Sequence, residues 1–270
     1  MAVMKTRPSK VLMLLVDALR EDFVEMGPDQ KQYLEGVPDP YEGTKISCFH
    51  ELSVMEPMNT IFLPLVSEMP TVTAVRVKSL LTGALNSYFE IKDNFDSGLV
   101  QEDNLLYQMN HRTTKEPEYI VFSGDYTWIG MYGTSFNRSY PFESFNVQEL
   151  DPLDIYTHDI MLQELKGGNF TLFISHIIGV DHAGHSFGPK HPELERKVKD
   201  SDKILRDVID ALDNDTVLIA FGDHGMTEGG THGGATPKEM RTVMFAYTKS
   251  GFPMKERLVN DTELLTPINE

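Results

Sequence analysis

Val11-Leu12-Met13-Leu14-Leu15-Val16-Asp17 is an unbroken apolar run that ends in a carboxylate. Without polar alternation it cannot leave one face in water, so it reads as a strand covered on both faces, as in a parallel sheet between helical layers. Two further runs read the same way. Leu172-Phe173-Ile174, continuing through Ile177-Ile178, leads into a segment that holds Asp181 and His185. Val217-Leu218-Ile219-Ala220-Phe221 leads into Gly222-Asp223-His224, with His232 eight residues further on. Each run thus delivers carboxylates or imidazoles at its carboxyl end, where open α/β sheets place their sites.

Outward from these runs, strands are expected at about 11–16, 119–123, 170–176, 216–221 and 242–248, alternating with helices at about 73–83, 99–110, 154–166 and 192–213. The last helix has the clearest face, with Leu194, Val198, Leu205, Val208, Ile209 and Leu212 recurring at three- and four-residue steps. This alternation means α/β architecture: a mainly parallel central sheet with helices on both faces. One domain over residues 1–270 is the simplest count for this length and for a chain that is 40% hydrophobic. Residues 25–60, which carry Pro28, Pro38, Pro40 and Pro57, read as a long surface connection or a substrate-facing insert.

Asp17, Asp181, His185, Asp223, His224 and His232 together look like the two halves of a dinuclear metal site. Imidazole and carboxylate in one set suit zinc, with manganese or iron as alternatives, and argue against a site for calcium alone. Taken singly, each residue has a plainer role as a turn former or helix cap.

Between the first two clusters, Pro70-Thr71-Val72-Thr73 opens an expected helix with apolar Val77, Leu80 and Leu81. Thr73 falls at its N-terminus, where unpaired N–H groups and the positive end of the dipole favour a phosphate or an alkoxide. A zinc ion there would make its hydroxyl a competent nucleophile. Thr71 is the rival, and an N-cap is the ordinary role for such a threonine.

The order Asp17, Thr73, Asp181-x-x-x-His185, Asp223-His224 and His232 resembles the alkaline phosphatase superfamily, in its phosphodiesterase branch. The closer match is to the ethanolamine phosphate transferases of glycosylphosphatidylinositol (GPI) anchor synthesis. It is carried by Asp17-Ala18-Leu19-Arg20, Thr73 with Arg76 and Lys78, Glu102-Asp103-Asn104, Gly124-Asp125 with Thr127-Trp128, Ser144 to Val147, Gly179 to Pro189, and Gly222 to Met226 with His232-Gly233. Among these enzymes the one that modifies the third mannose is most similar, with the second-mannose enzyme close behind.

The resemblance implies an alkaline phosphatase-like fold with two divalent ions, most often zinc. One would be held by Asp181, His185 and His232, the other by Asp17, Asp223 and His224 with the Thr73 oxygen. Asn94 matches an asparagine that donates to a phosphoryl oxygen in related phosphodiesterases. The implied reaction moves phosphoethanolamine from phosphatidylethanolamine, through an enzyme-bound intermediate on Thr73, to a mannose of the GPI glycolipid. The implied setting is the luminal side of the endoplasmic reticulum, membrane-attached and beside a membrane partner subunit. Hydrolysis by a soluble zinc phosphodiesterase, or a catalytically dead luminal scaffold, are the alternatives.

Composition sets bounds on partners. A net charge of −17 argues against nucleic acid and against tight adsorption to anionic lipid. Cys48 is the only cysteine, so no intrachain disulfide forms and redox compartment is not legible. Sequons at Asn137, Asn169, Asn214 and Asn260 fit a luminal domain. The resembled enzymes carry membrane segments, whereas the longest apolar stretch here is far short of a span of about 20 residues, and Met1 to Lys10 lacks the apolar centre of a signal peptide. The chain therefore reads as a fragment, an isolated domain or a short relative. Asp125 and Trp128 are weighed as contacts for an ethanolamine ammonium against ordinary packing. Arg76 and Lys78 are weighed as phosphate contacts against solvated charges. His182 reads as structural, and His50, His111 and His158 as surface residues.

Overall fold

The computed structural model describes residues 8–27, 40–85, 99–112, 118–144 and 146–252. Seven strands form one sheet: β1 Lys10–Val16, β2 Thr60–Val66, β3 Ile120–Asp125, β4 Arg138–Phe142, β5 Leu172–Ile177, β6 Thr216–Phe221 and β7 Arg241–Tyr247. Their order is β2-β7-β6-β1-β5-β3-β4. Strand β7 runs antiparallel to both β2 and β6, and the other strand pairs are parallel. The mainly parallel sheet expected from the apolar runs is the one observed.

The two strands that the sequence pattern does not announce, β2 and β4, are the two edges. Each contains a proline, Pro64 in β2 and Pro141 in β4. Proline cannot donate to a ladder and is tolerated at an edge, so both segments lose their strand signature for a positional reason.

Helices cover both faces: α1 Cys48–Met55, α2 Thr73–Thr82, α3 Leu105–Asn110, α4 Thr127–Tyr132, α5 Pro152–Gly167, α6 Gly179–Phe187, α7 Pro192–Ala211 and the single turn α8 Pro237–Met240. Leu12, Leu14 and Val16 of β1 join one apolar layer with Phe49 of α1, Met161 of α5 and Leu194, Val198, Leu205 and Val208 of α7. Leu15 faces the opposite layer, with Val77 and Leu81 of α2, Leu106 of α3 and Trp128 of α4. This two-sided burial is why the β1 run is apolar throughout.

Three expectations change. The helix expected from about residue 99 begins only at Leu105, because the Asn104 side chain accepts the Tyr107 N–H at 2.9 Å and caps it there. Part of the connection over 25–60 is ordered as α1, whose Phe49 stacks on Phe245 at 4.3 Å between ring centroids. Helices α4 and α6 and the turn α8 lie outside the expected helices, and in α6 Gly179 and Gly184 interrupt any periodic signal.

Candidate dinuclear metal centre

The sheet gathers the three clusters because their strands are neighbours. Strand β1 lies between β5 and β6, with Leu15 opposite both His176 and Phe221, so Asp17 and the segments after β5 and β6 leave the same edge side by side. Gly222 is required where β6 turns into Asp223: a Cβ there would stand 2.1 Å from Thr242 Oγ1 and 2.8 Å from Leu19 Cβ. Ala18 adopts a left-handed φ of 54°, uncommon for a residue with a Cβ and a local strain. The turn aims its N–H at Asp223 Oδ1, 3.2 Å away.

Asp181 and His185 ride on α6, one turn apart. No side chain of its own caps this helix. Asp154 of α5 does so instead, its Oδ1 accepting the N–H groups of Ile178 and Gly179 at 2.9 and 3.1 Å. Its other oxygen meets Lys197 of α7 at 2.7 Å, a pair with both side chains buried.

The ligand atoms of Asp181, His185 and His232 lie within 4.8 Å of one another, as do those of Asp17, Asp223 and His224. The two sets abut, with the His224 ring stacked on His232 at 4.1 Å between centroids. Donor chemistry fits divalent metal. Asp17 Oδ1, Asp181 Oδ1 and Asp223 Oδ2 are buried and accept no aligned hydrogen bond, a costly state for carboxylate oxygens unless a cation takes them. His224 Nδ1 faces the Gly225 carbonyl at 2.9 Å, and His232 Nδ1 faces the Thr71 carbonyl at 2.7 Å. A carbonyl only accepts, so Nδ1 carries the proton in both rings and the Nε2 lone pairs turn to the cluster, the arrangement that outer carbonyls impose on metal-binding histidines.

Without metal, the charges settle among themselves. Burial, then the carboxylates of Asp223 and Asp181, raise the Asp17 pKa well above its ordinary value. Burial holds His224 below its usual value, so that ring is neutral. Burial also opposes protonation of His232, but contact with Asp181, 3.3 Å away, and the charge of Asp17 push its pKa up to about 9.

Thr73 is the first residue of α2, and the N-cap position belongs to Val72, which has no capping oxygen. Its hydroxyl is therefore free for the cluster, 3.3 Å from Asp17 Oδ2 and 3.2 Å from His224 Nε2. Thr71 is committed elsewhere. Its hydroxyl donates to the Gly234 carbonyl at 2.9 Å and accepts the Gly233 N–H at 2.8 Å, holding the loop that carries His232. Asn94 lies outside the described residues.

One residue of this centre escaped the sequence reading. His176, in β5 and fully buried, receives the indole N–H of Trp128 on Nδ1 at 3.0 Å. Indole only donates, so His176 Nδ1 is bare and Nε2 carries the proton, which it gives to Asp17 Oδ2 at 3.1 Å. Burial lowers its pKa and keeps the ring neutral. A histidine inside an otherwise apolar buried strand was the signal available for it.

The other polar candidates are placed as follows. Trp128 is buried beneath the site, and Asp125 accepts the Thr127 N–H at 2.9 Å and the Ser144 hydroxyl, so both serve packing and positioning in this structure. His182 is buried, its Nδ1 against the Glu149 carbonyl at 3.2 Å. Lys78 and Arg76 are buried rather than solvated; Lys78 pairs with Glu102. His111 is exposed, and neither His50 nor His158 enters the two sets. Asn137, Asn169 and Asn214 are exposed, and Asn260 lies outside the described residues. No helix among the described residues is long and apolar enough to cross a membrane.

The chain is similar to known proteins. The chain is 35% identical over 254 residues to the catalytic subunit of GPI ethanolamine phosphate transferase 3 of Mus musculus, an alignment covering 93% of this chain and 22% of that protein. It therefore spans about a quarter of the length of such relatives. Among solved structures, the C-terminal periplasmic domain of EcEptC from Escherichia coli in complex with Zn superposes with a TM-score of 0.60 at 12% identity, over 91% of this chain and 74% of that one. An alkaline phosphatase superfamily protein of Vibrio parahaemolyticus superposes with a TM-score of 0.53 at 15% identity, over 90% and 61%. The fold is thus that of the alkaline phosphatase superfamily. Residues 58–235 match the type I phosphodiesterase / nucleotide pyrophosphatase family, and the chain belongs to it.

Proposed function

We propose that this chain carries the catalytic centre of a GPI ethanolamine phosphate transferase, moving phosphoethanolamine from phosphatidylethanolamine to a mannose of the GPI precursor through Thr73. One observation carries the reading: a hydroxyl at a helix N-terminus touches a carboxylate and an imidazole of one ligand set, beside a second set. Asp181, His185 and His232 would hold one zinc ion, and Asp17, Asp223, His224 and the Thr73 oxygen the other. Two such ions, when bound, stabilise the attacking and leaving oxygens of an in-line displacement at phosphorus.

The residues themselves orient the reaction. Helix α2 presents Thr73 Oγ1 with its N–H groups and dipole favouring negative charge. The oxygen bonds to phosphorus, its proton departs along the contact to Asp17 Oδ2, and the bond to the glycerol oxygen breaks, that proton ending on diacylglycerol. A mannose hydroxyl then displaces Thr73, which regains a proton. Asn94 would donate to a phosphoryl oxygen. Exposed sequons fit a luminal setting, and the mouse relative, named a catalytic subunit, fits a partner subunit.

The test is the intact mass of zinc-loaded protein after incubation with short-chain phosphatidylethanolamine, alongside Thr73→Ala. A phosphoethanolamine adduct in the parent and none in the variant supports transfer through Thr73. Diacylglycerol release without an adduct favours hydrolysis, and neither product in a zinc-loaded protein counts against an active centre in this chain.

A further inference from the structure

Arg76 lies one turn beyond Thr73 on α2 and is only 4% exposed. Its Nε and Nη2 are buried with no hydrogen-bond partner. Two buried guanidinium nitrogens without a hydrogen-bond acceptor are a cost that proteins seldom retain. The lysine two residues on, equally buried, is paired with Glu102, so the omission is particular to Arg76. Burial pulls the Arg76 pKa below its ordinary value, with Glu68 and Asp223 acting the other way.

The side chain lines a cavity of ≈ 260 Å³ between the end of β2 and α2, which runs to the metal ligand Asp223. Its remaining wall includes Leu65, Val66, Leu80 and Leu85, and Glu68 joins Asp223 as the second carboxylate of the lining. Three of these apolar side chains are exposed: Val66 at 64%, Leu80 at 42% and Leu85 at 79%. Two unsatisfied guanidinium nitrogens at the floor and an aliphatic wall above them match a ligand that is anionic at one end and aliphatic at the other.

We infer that this cavity is a subsite for a lipid phosphodiester, whose phosphate oxygens take the Arg76 N–H groups while the first carbons of its chains lie on Leu80 and Leu85. A planar guanidinium suits the two free oxygens of a phosphodiester. The inference deepens the proposed function and rests on it for the reaction served. Donor phospholipid and the lipid part of the acceptor share this chemistry.

Titration calorimetry of the zinc-loaded chain with dibutyl phosphate tests it, dimethyl phosphate being the probe of equal charge without chains. Dibutyl phosphate binds more tightly than dimethyl phosphate, and Arg76→Met weakens it by at least about tenfold. Leu80→Ser, at a half-exposed position, removes the preference for the butyl chains while leaving dimethyl phosphate unchanged. Ligand-free Arg76→Met keeps or gains Tm, since it removes a buried charge with two unsatisfied nitrogens. Unchanged dibutyl phosphate affinity in Arg76→Met overturns the proposal. If that variant does not fold, an unchanged butyl preference in Leu80→Ser overturns it. Dihexanoyl phosphatidylethanolamine and dihexanoyl phosphatidylinositol then separate donor from acceptor lipid: binding of either that depends on Arg76 supports the subsite and names its source, and dependence for neither rejects it. Thr73→Ala abolishes the covalent adduct but leaves this binding intact, so failure of the transferase reading and failure of the subsite are distinguishable.

Discussion

His176→Phe isolates one link of the centre with little change in packing. The phenyl ring fills the space of the imidazole, so no cavity term enters, and the change reduces to two hydrogen bonds: 3.1 Å to Asp17 Oδ2 and 3.0 Å from Trp128 Nε1. The first goes to a carboxylate, and such bonds contribute about 1.5–3 kcal/mol. Asp17 Oδ2 would keep only the Thr73 hydroxyl at 3.3 Å, leaving its orientation toward the cluster poorly fixed. Loss of an outer partner to a metal ligand typically weakens metal binding 10–100-fold, about 1.4–2.7 kcal/mol, which agrees with the value of the bond itself. The second loss strands a buried indole N–H and lowers metal-free stability by about 1–3 kcal/mol, a fall of about 2–4 °C in Tm for each. Competition against a chromophoric zinc chelator reads the affinity. Trp128 is the only tryptophan, so its emission reports zinc through His176 in the parent and should lose that response in the variant. Unchanged zinc affinity in a folded His176→Phe protein would refute the reasoning, because Asp17 would then be oriented without it.

Asp223→Ala should remove zinc and turnover together, whereas Thr73→Ala should retain most zinc and lose the adduct; metal content and intact mass measured on the same samples separate the two. The His232 pKa rises from 6.5 unfolded to about 9 folded, so metal-free stability from its contact with Asp181 is full below pH 6.5 and is lost as pH rises through 9. Zinc must displace that proton, so its affinity should climb over the same window with proton release, visible in calorimetry across buffers of different ionisation heat. Denaturation that is flat with pH from 6.5 to 9 in metal-free protein would contradict this assignment. Asp154→Ala leaves Lys197 buried without its closest partner and α6 without its cap, and should cost about 3–5 kcal/mol in chemical denaturation, with weakened zinc binding at Asp181 and His185.

The parallel core was legible because burial on both faces writes itself into a strand as an apolar run, unbroken over 11–16 of β1 and 217–221 of β6 and interrupted in β5 only by Ser175 and His176. The edges were not, because Pro64 and Pro141 are tolerated only where no neighbour needs an N–H, and a proline read without its position argues against a strand. Asp17, Asp181 and Asp223 stood out because three such clusters follow three apolar runs, although each alone has a plainer role as a turn former or cap. For Arg76 the choice between phosphate contact and solvated charge stayed open, since only the fold shows the side chain turned inward. Asp154 was silent, because capping a helix from another helix leaves no local pattern.

The histidines show where sequence reasoning reaches its end. His224 and His176 are neutral imidazoles, and His232 would join them if a metal displaced its proton; all three face one group of carboxylates, yet they present opposite faces of the same chemistry. A backbone carbonyl behind His224 and another behind His232 fix the proton on Nδ1 and leave a lone pair for metal. The indole behind His176 fixes the proton on Nε2 and leaves a donor for Asp17. Which histidine can bind metal and which positions a carboxylate is therefore decided by what stands at the far nitrogen, 2.7–3.0 Å away. For His232 that partner is Thr71, some 160 positions earlier in the chain. For His176 it is Trp128, on the helix that follows the neighbouring strand. No spacing rule connects such pairs, and only the folded arrangement of strands and loops brings them together.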